Sequence, residues 1–108
     1  MNTLTLRSIQ TESHPETKMT FWYLFATSKG AKTRIKIMRL LQSHPYNTHR
    51  ISQELMMDYK AIKHHMDILE KNNLIDKFDA NYGATFFPST IFEENKVLFD
   101  EIISRMSV

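Results

Sequence analysis

The apolar residues fall into segments of different period. From Lys32 to Gln42, Ile37, Met38, Leu40 and Leu41 share one side of a wheel that turns about 100° per residue. Lys29, Lys32, Lys36 and Arg39 take the other side, so the stretch is expected to be an amphipathic helix. Pro45, within Ser43–Asn47, ends it. Thr48 is the expected N-cap of a short helix reaching Leu55, with Ile51 and Leu55 four apart on its buried side. After Met56 and Met57, Asp58 caps a longer helix over Tyr59–Asn72. Its apolar stripe is Ile62, Met66 and Leu69, and Lys60, Lys63, His64, Asp67 and Lys71 project from the opposite side.

The period then changes. Asn73 tolerates the left-handed backbone that stops a helix, and Leu74–Asp79 alternates as a strand. Ala80–Gly83 provides Asn and Gly for a hairpin tip, and Ala84–Phe87 returns. Pro88 stops the sheet, and Thr90 with Glu93 three residues later is a capping box. The helix Ile91–Met106 carries a wide stripe of Ile91, Phe92, Leu98, Phe99, Ile102, Ile103 and Met106, with Asn95 inside it.

At the other end, residues 1–18 are mostly polar and are expected to be a flexible arm, or, from the alternation in Thr3–Leu6, a strand that adds to a partner. Residues 19–108 form the domain. Met19–Thr27 concentrates Phe21, Trp22, Tyr23, Leu24 and Phe25, more large groups than a small core hides, so part of it is expected to meet another subunit. The whole reads as mainly α with a small β-hairpin wing: a helix-turn-helix built from Thr48–Leu55 and Asp58–Asn72, followed by two strands.

Composition narrows the function. With 108 residues, 2 glycines, 3 prolines and 42% apolar residues, the chain can bury one modest core, which excludes a multidomain enzyme. The absence of cysteine removes disulfides, thiolate metal sites and thiol nucleophiles. No apolar run approaches the roughly 18 to 20 residues that cross a bilayer, and Met1–Gln10 does not read as a secretory signal. A cytoplasmic location with no membrane partner is the expectation. Acids and bases are scattered over helix faces without a Gly-rich loop, nucleophile elbow or metal motif, so neither an enzyme nor a cofactor is expected.

The net charge of +2 is unevenly placed. Residues 29–77 carry ten basic against five acidic groups, whereas residues 78–108 carry two against five. A basic middle suits a polyanion on one face, although a solvated helix surface has the same composition. The second helix of the central pair is about as wide as a B-form major groove admits. On it, Lys60 and Lys63 can neutralise phosphates or donate to guanine, and His64 can donate or accept at a base edge. Asp67 repels phosphate, but it can accept from a cytosine amino group or hold Lys63 or Lys71 in place.

Thr33–Met38, Ile51–Leu55 and Asp58–Ile75 together resemble the ArsR-type winged helix-turn-helix regulators, and most of all an archaeal branch without the metal-binding cysteines. Trp22–Ala26 and Tyr82–Ala84 before Pro88 extend the resemblance over about residues 20–106. It implies a homodimer on double-stranded DNA, with Tyr59–His64 reading an operator and the wing, around Lys77–Tyr82, resting on flanking backbone. Thr48, His49, Tyr59, Lys60, Lys63, His64, Asp67, Lys71, Lys77, Asn81 and Tyr82 are the candidate DNA contacts. The first and last helices would form the dimer seam, through Phe21, Trp22, Phe25, Ile91, Leu98, Phe99, Ile102 and Met106. Met56 and Asn73 stand where the family usually has glycine. Without the cysteines, arsenic or cadmium sensing is not implied.

Other residues carry two readings. Arg34 falls among apolar positions and should need a buried ion pair. His64 and His65 point about 100° apart and cannot chelate one ion; His65 is a core-edge histidine, or alternatively a pH-sensitive one. Tyr82 could stack in the minor groove or pack on the hairpin, and Asn95 could pair across a dimer seam or face solvent. The rival to DNA binding is a winged-helix module for protein contact.

Overall fold

The computed structural model describes residues 6–80 and 83–106. A 3-10 turn at Leu6–Ser8 precedes α1 (Pro15–Trp22), which runs on as a π-helical turn over Tyr23–Thr27. Then come α2 (Ala31–Ser43), α3 (Thr48–Leu55), α4 (Tyr59–Lys71), β1 (Ile75–Ala80), β2 (Gly83–Pro88), α5 (Thr90–Glu94) and α6 (Lys96–Ser104). A mostly helical chain with an antiparallel hairpin after the helix pair is a winged helix-turn-helix.

Local chemistry sets the helix ends. Asp58 caps α4 as the sequence predicts, its Oδ2 accepting from the amides of Lys60 at 3.0 Å and Ala61 at 3.3 Å. The cap of α3 lies one residue earlier than expected: Asn47 Oδ1 accepts from the Arg50 amide at 2.7 Å, and Thr48 becomes the first helical residue. Both helices stop in the same way. Met57 N donates to Ser52 O and Met56 N to Gln53 O, while Leu74 N donates to Leu69 O and Asn73 N to Glu70 O. These paired bonds require a left-handed residue after the helix, and Met56 (φ 51°) and Asn73 (φ 61°) supply it.

The core under the helix pair is made by Ile35, Ile37, Met38 and Leu41 of α2, Ile51 of α3, and Ile62, Met66 and Leu69 of α4. Each such side chain contributes about 1.5–3 kcal/mol by leaving water. Ile35 is buried where the wheel had pointed to Leu40, which is only partly covered. The hairpin pairs Ile75 with Pro88 through Ala80 with Gly83. Tyr46, in the link between α2 and α3, adds a bridge to its open edge: Phe86 N donates to Tyr46 O at 2.8 Å and Tyr46 N to Phe86 O at 3.2 Å.

Several expectations at the chain ends are corrected. The last helix is two helices broken at Asn95, and its cap is Ser89 rather than Thr90, with Ser89 Oγ accepting from Phe92 N at 3.1 Å. Asn95 finds its partners in its own chain, donating to Ile91 O at 2.8 Å and accepting from Ser13 Oγ at 3.0 Å. Part of the stretch expected as a free arm is packed on the domain. Ile9 is buried, and Glu101 accepts from the amides of Gln10 at 2.7 Å and Thr11 at 2.8 Å. Burial works against the charged form of Glu101, but the Thr11 hydroxyl, these amides and Arg105 outweigh it and hold the carboxyl below its usual range. Of the Thr3–Leu6 strand, only Leu6 lies within the described residues, and it opens the 3-10 turn.

Of the residues expected at a dimer seam, Phe21, Phe25, Leu98, Phe99 and Ile102 are each 0% exposed within the single chain. Phe25 and Phe99 meet edge-on at 4.9 Å, Phe92 and Phe99 at 4.9 Å, and Phe21 stacks on Phe92 at 5.9 Å. These rings join α1, α5 and α6 into the protomer's own core. Ile91 stays exposed, and Trp22 and Met106 are partly covered. The large groups that α1 and the following turn leave outside are Met19 and Tyr23.

Candidate nucleic-acid interface

The outward side of α4 is open to solvent. Lys60, Lys63, His64, Asp67 and Lys71 are all exposed, and Tyr59 at its start is about half so (47%). The N-terminal stretch docks on α6 through Glu101 and Arg105, which leaves this side uncovered. Between α4, the start of α3 and the hairpin lies a cleft of about 340 Å³. It brings together six of the nine described DNA-contact candidates: Thr48, His49, Tyr59, Lys63, Asp67 and Lys77. Lys60, His64 and Lys71 flank it on the same helix without lining it. Thr48 is a wall residue, its side chain mostly buried. Asn81 and Tyr82 lie outside the described residues.

The cations of the cleft already have partners. Lys63 Nζ donates to Asp67 Oδ1 at 2.6 Å, and this hydrogen bond raises the ammonium's pKa above its ordinary value. Lys77 of β1 lies 3.5 Å from Glu70 Oε2. Glu70 was not among the sequence candidates, yet residues 63, 67 and 70 follow the i, i+4, i+7 spacing of one helix face, which was the available signal. Asn47 was missed too; it lines the cleft while capping α3.

The inner side of α4 is fixed by an unusual contact. Arg34 is 2% exposed, and the expected ion pair is replaced by a cage of neutral acceptors. Nε donates to Leu24 O at 2.9 Å, Nη2 to Lys29 O at 3.1 Å and to Ser28 Oγ, and Nη1 lies 3.2 Å from His65 Nδ1. Burial pulls the guanidinium's pKa down, but arginine remains protonated in proteins. The bend between α1 and α2 is thereby tied to α4. His64 points elsewhere, its ring 5.6 Å from that of His65. Among the described residues, no group of three or more His, Asp or Glu is placed to hold a metal ion, and no helix is long and apolar enough to cross a membrane.

Comparison with known proteins agrees with this geometry. Residues 31–77 match the family model described as bacterial regulatory protein, arsR family. That span runs from the start of α2 into the first wing strand and so contains both helices of the helix-turn-helix. No curated protein matches the chain in sequence. Among solved structures, the chain is similar to a cysteine-to-serine mutant of Lactococcus lactis ZitR, with a TM-score of 0.53 and 17% identity over 82% of this chain and 72% of that one. It is also similar to a probable transcriptional regulator from Pseudomonas aeruginosa, with a TM-score of 0.57 and 14% identity over 83% of this chain and 76% of that one. At such identities the likeness is one of fold.

Proposed function

We propose that the protein is a DNA-binding transcriptional regulator that acts as a homodimer by occupying a roughly palindromic site, without catalysis, in the cytoplasm. The reading rests on one observation: an exposed, lysine-bearing helix, braced by α3 and flanked by a hairpin, inside the segment that matches the arsR family. In this reading α4 enters the major groove, and Lys60 and Lys71 meet phosphates on either side. Lys77 places the wing on flanking backbone.

Fluorescence anisotropy with random duplex at two salt concentrations tests it, because each phosphate contact releases counterions and makes affinity fall with salt. Lys63→Ala with His64→Ala should weaken sequence preference, and Lys77→Ala should weaken all duplexes alike. No binding at low salt would overturn the proposal.

A second reading, a winged-helix module for protein contact, draws on the outer face of the wing. There Phe78 is 67% exposed and Phe87 37%, and the register sets both rings on one side. Partners recovered from a pull-down after nuclease treatment would favour it.

A further inference from the structure

We propose that Asp67 is a specificity-determining residue of the recognition surface, one that withholds Lys63 from phosphate and accepts a hydrogen bond from the exocyclic amino group of a cytosine. The inference rests on the DNA-binding reading above and deepens it.

Its basis is the charge arrangement of the cleft. A helix that only had to bind phosphate would leave its cations unpaired, since every cation held by a carboxylate of the same protein releases fewer counterions on binding. Here the two lysines that line the cleft, Lys63 and Lys77, each lie against an acid of α4, Asp67 and Glu70. The lysines outside the cleft on the same helix, Lys60 and Lys71, have no ion pair among the described residues. Charge is thus divided by position: free cations at the margins, matched pairs in the centre.

Asp67 has a second oxygen to offer. Lys63 Nζ occupies Oδ1, and among the described residues no donor is bonded to Oδ2. The carboxylate side chain is 57% exposed and lines the same cleft as Tyr59. In the major groove, a carboxylate facing guanine O6 and N7 or thymine O4 meets only acceptors and is repelled, whereas the N4 amino group of cytosine donates to it. On a random duplex the same carboxylate keeps Lys63 in an intramolecular pair and adds repulsion toward phosphate. It therefore weakens non-specific binding more than binding at a matched site, which is how a repulsive element produces discrimination.

The test uses the full chain with Asp67→Asn, Lys63→Met and the double variant, each assayed against a random-sequence duplex over a salt series and by selection from a randomised duplex pool. Both side chains are more than half exposed, so the variants should fold as the parent does, checked by circular dichroism. Asp67→Asn is expected to bind random duplex roughly three- to tenfold more tightly at low salt, with a log–log salt slope steeper by about one as Lys63 gains a phosphate. The cytosine requirement at one position of each half-site should relax to all four bases. In the Lys63→Met background the change in slope should vanish.

Unchanged affinity and an unchanged selected site in Asp67→Asn would overturn the role of Asp67 while leaving the DNA-binding reading intact. An absence of parent binding to any duplex at low salt would overturn that reading, and this inference with it.

Discussion

His65 Nδ1 accepts a hydrogen bond from Arg34 Nη1 at 3.2 Å, because a guanidinium carries only donors. The form of the histidine that makes this bond is the neutral one, with its proton on Nε2. Burial, then the charge of Arg34, then His64 hold its pKa below 6.5. The other groups facing the pair are the carbonyls of Leu24 and Lys29, the Ser28 hydroxyl and, further off, Tyr23. None of them is a carboxylate that would compensate a second cation.

The sign of the pH dependence follows. The unfolded chain takes up a proton at His65 near its ordinary pKa, about 6.5, before the folded chain does. Stability is therefore complete above that value and is lost as pH falls from it through the lower folded pKa. Thermal melts between pH 7.5 and 5 should show a steeper loss for the parent than for His65→Asn, which keeps an acceptor and cannot titrate. Parallel curves would exclude the coupling.

Gly30 is constrained by the same contact. Its φ is +89°, and a Cβ there would sit 2.5 Å from His65 Cε1. Gly30→Ala should cost about 2 kcal/mol or more, through the left-handed backbone and the displaced imidazole together. Urea unfolding measures the loss, and a variant as stable as the parent would refute the packing at this bend.

Met56 gives the opposite result. It holds a left-handed backbone at φ 51° while its side chain is 91% exposed, so little packing offsets the backbone cost. Met56→Gly should stabilise the protein by about 1 kcal/mol. For a domain of this size that is roughly 4 to 8 °C in Tm. An unchanged or lower melting temperature would mean that the side chain has a role outside the single chain.

For the proposed dimer, the surface to test is the one the protomer leaves open. Met19 on α1 and Val97 on α6 are 60% and 66% exposed, and neither belongs to the aromatic core. Met19→Asp with Val97→Asp should yield a folded monomer by sedimentation equilibrium, with weaker binding to a palindromic duplex. Dimers persisting at micromolar concentration would move the seam elsewhere.

The elements whose residues act locally were legible in the sequence. Asp58, the stripe Ile62, Met66 and Leu69, and the left-handed Asn73 follow from spacing and backbone preference alone, and the hairpin follows from alternation. What sequence did not disclose depended on distant partners. Asn47 took the capping role from Thr48 by one residue, a shift that side-chain preference cannot resolve. Arg34 was rightly placed among apolar neighbours, but two of its acceptors are the backbone carbonyls of Leu24 and Lys29, which no residue type advertises, and a third, His65, comes from another helix. The aromatics of Met19–Thr27 were read as surplus because three of the four rings that enclose one another, Phe21, Phe25 and Phe99, had been counted toward a partner. For the cleft, the wheel of α4 accounts for Lys63 and Asp67 sharing a side, whereas their meeting with Thr48, His49 and Lys77 depends on how three elements pack, which no wheel contains. Glu70 was overlooked because its partner, Lys77, comes from the next element.

The bridge between Tyr46 and Phe86 stitches the hairpin to the linker in front of α3, so the wing is anchored at two separate points along the chain. Swinging it away from α4 would break two backbone bonds as well as the turn at Asn73. The distance between helix and hairpin is thus set within the protomer itself, and little conformational freedom would be left to surrender on docking of the proposed duplex.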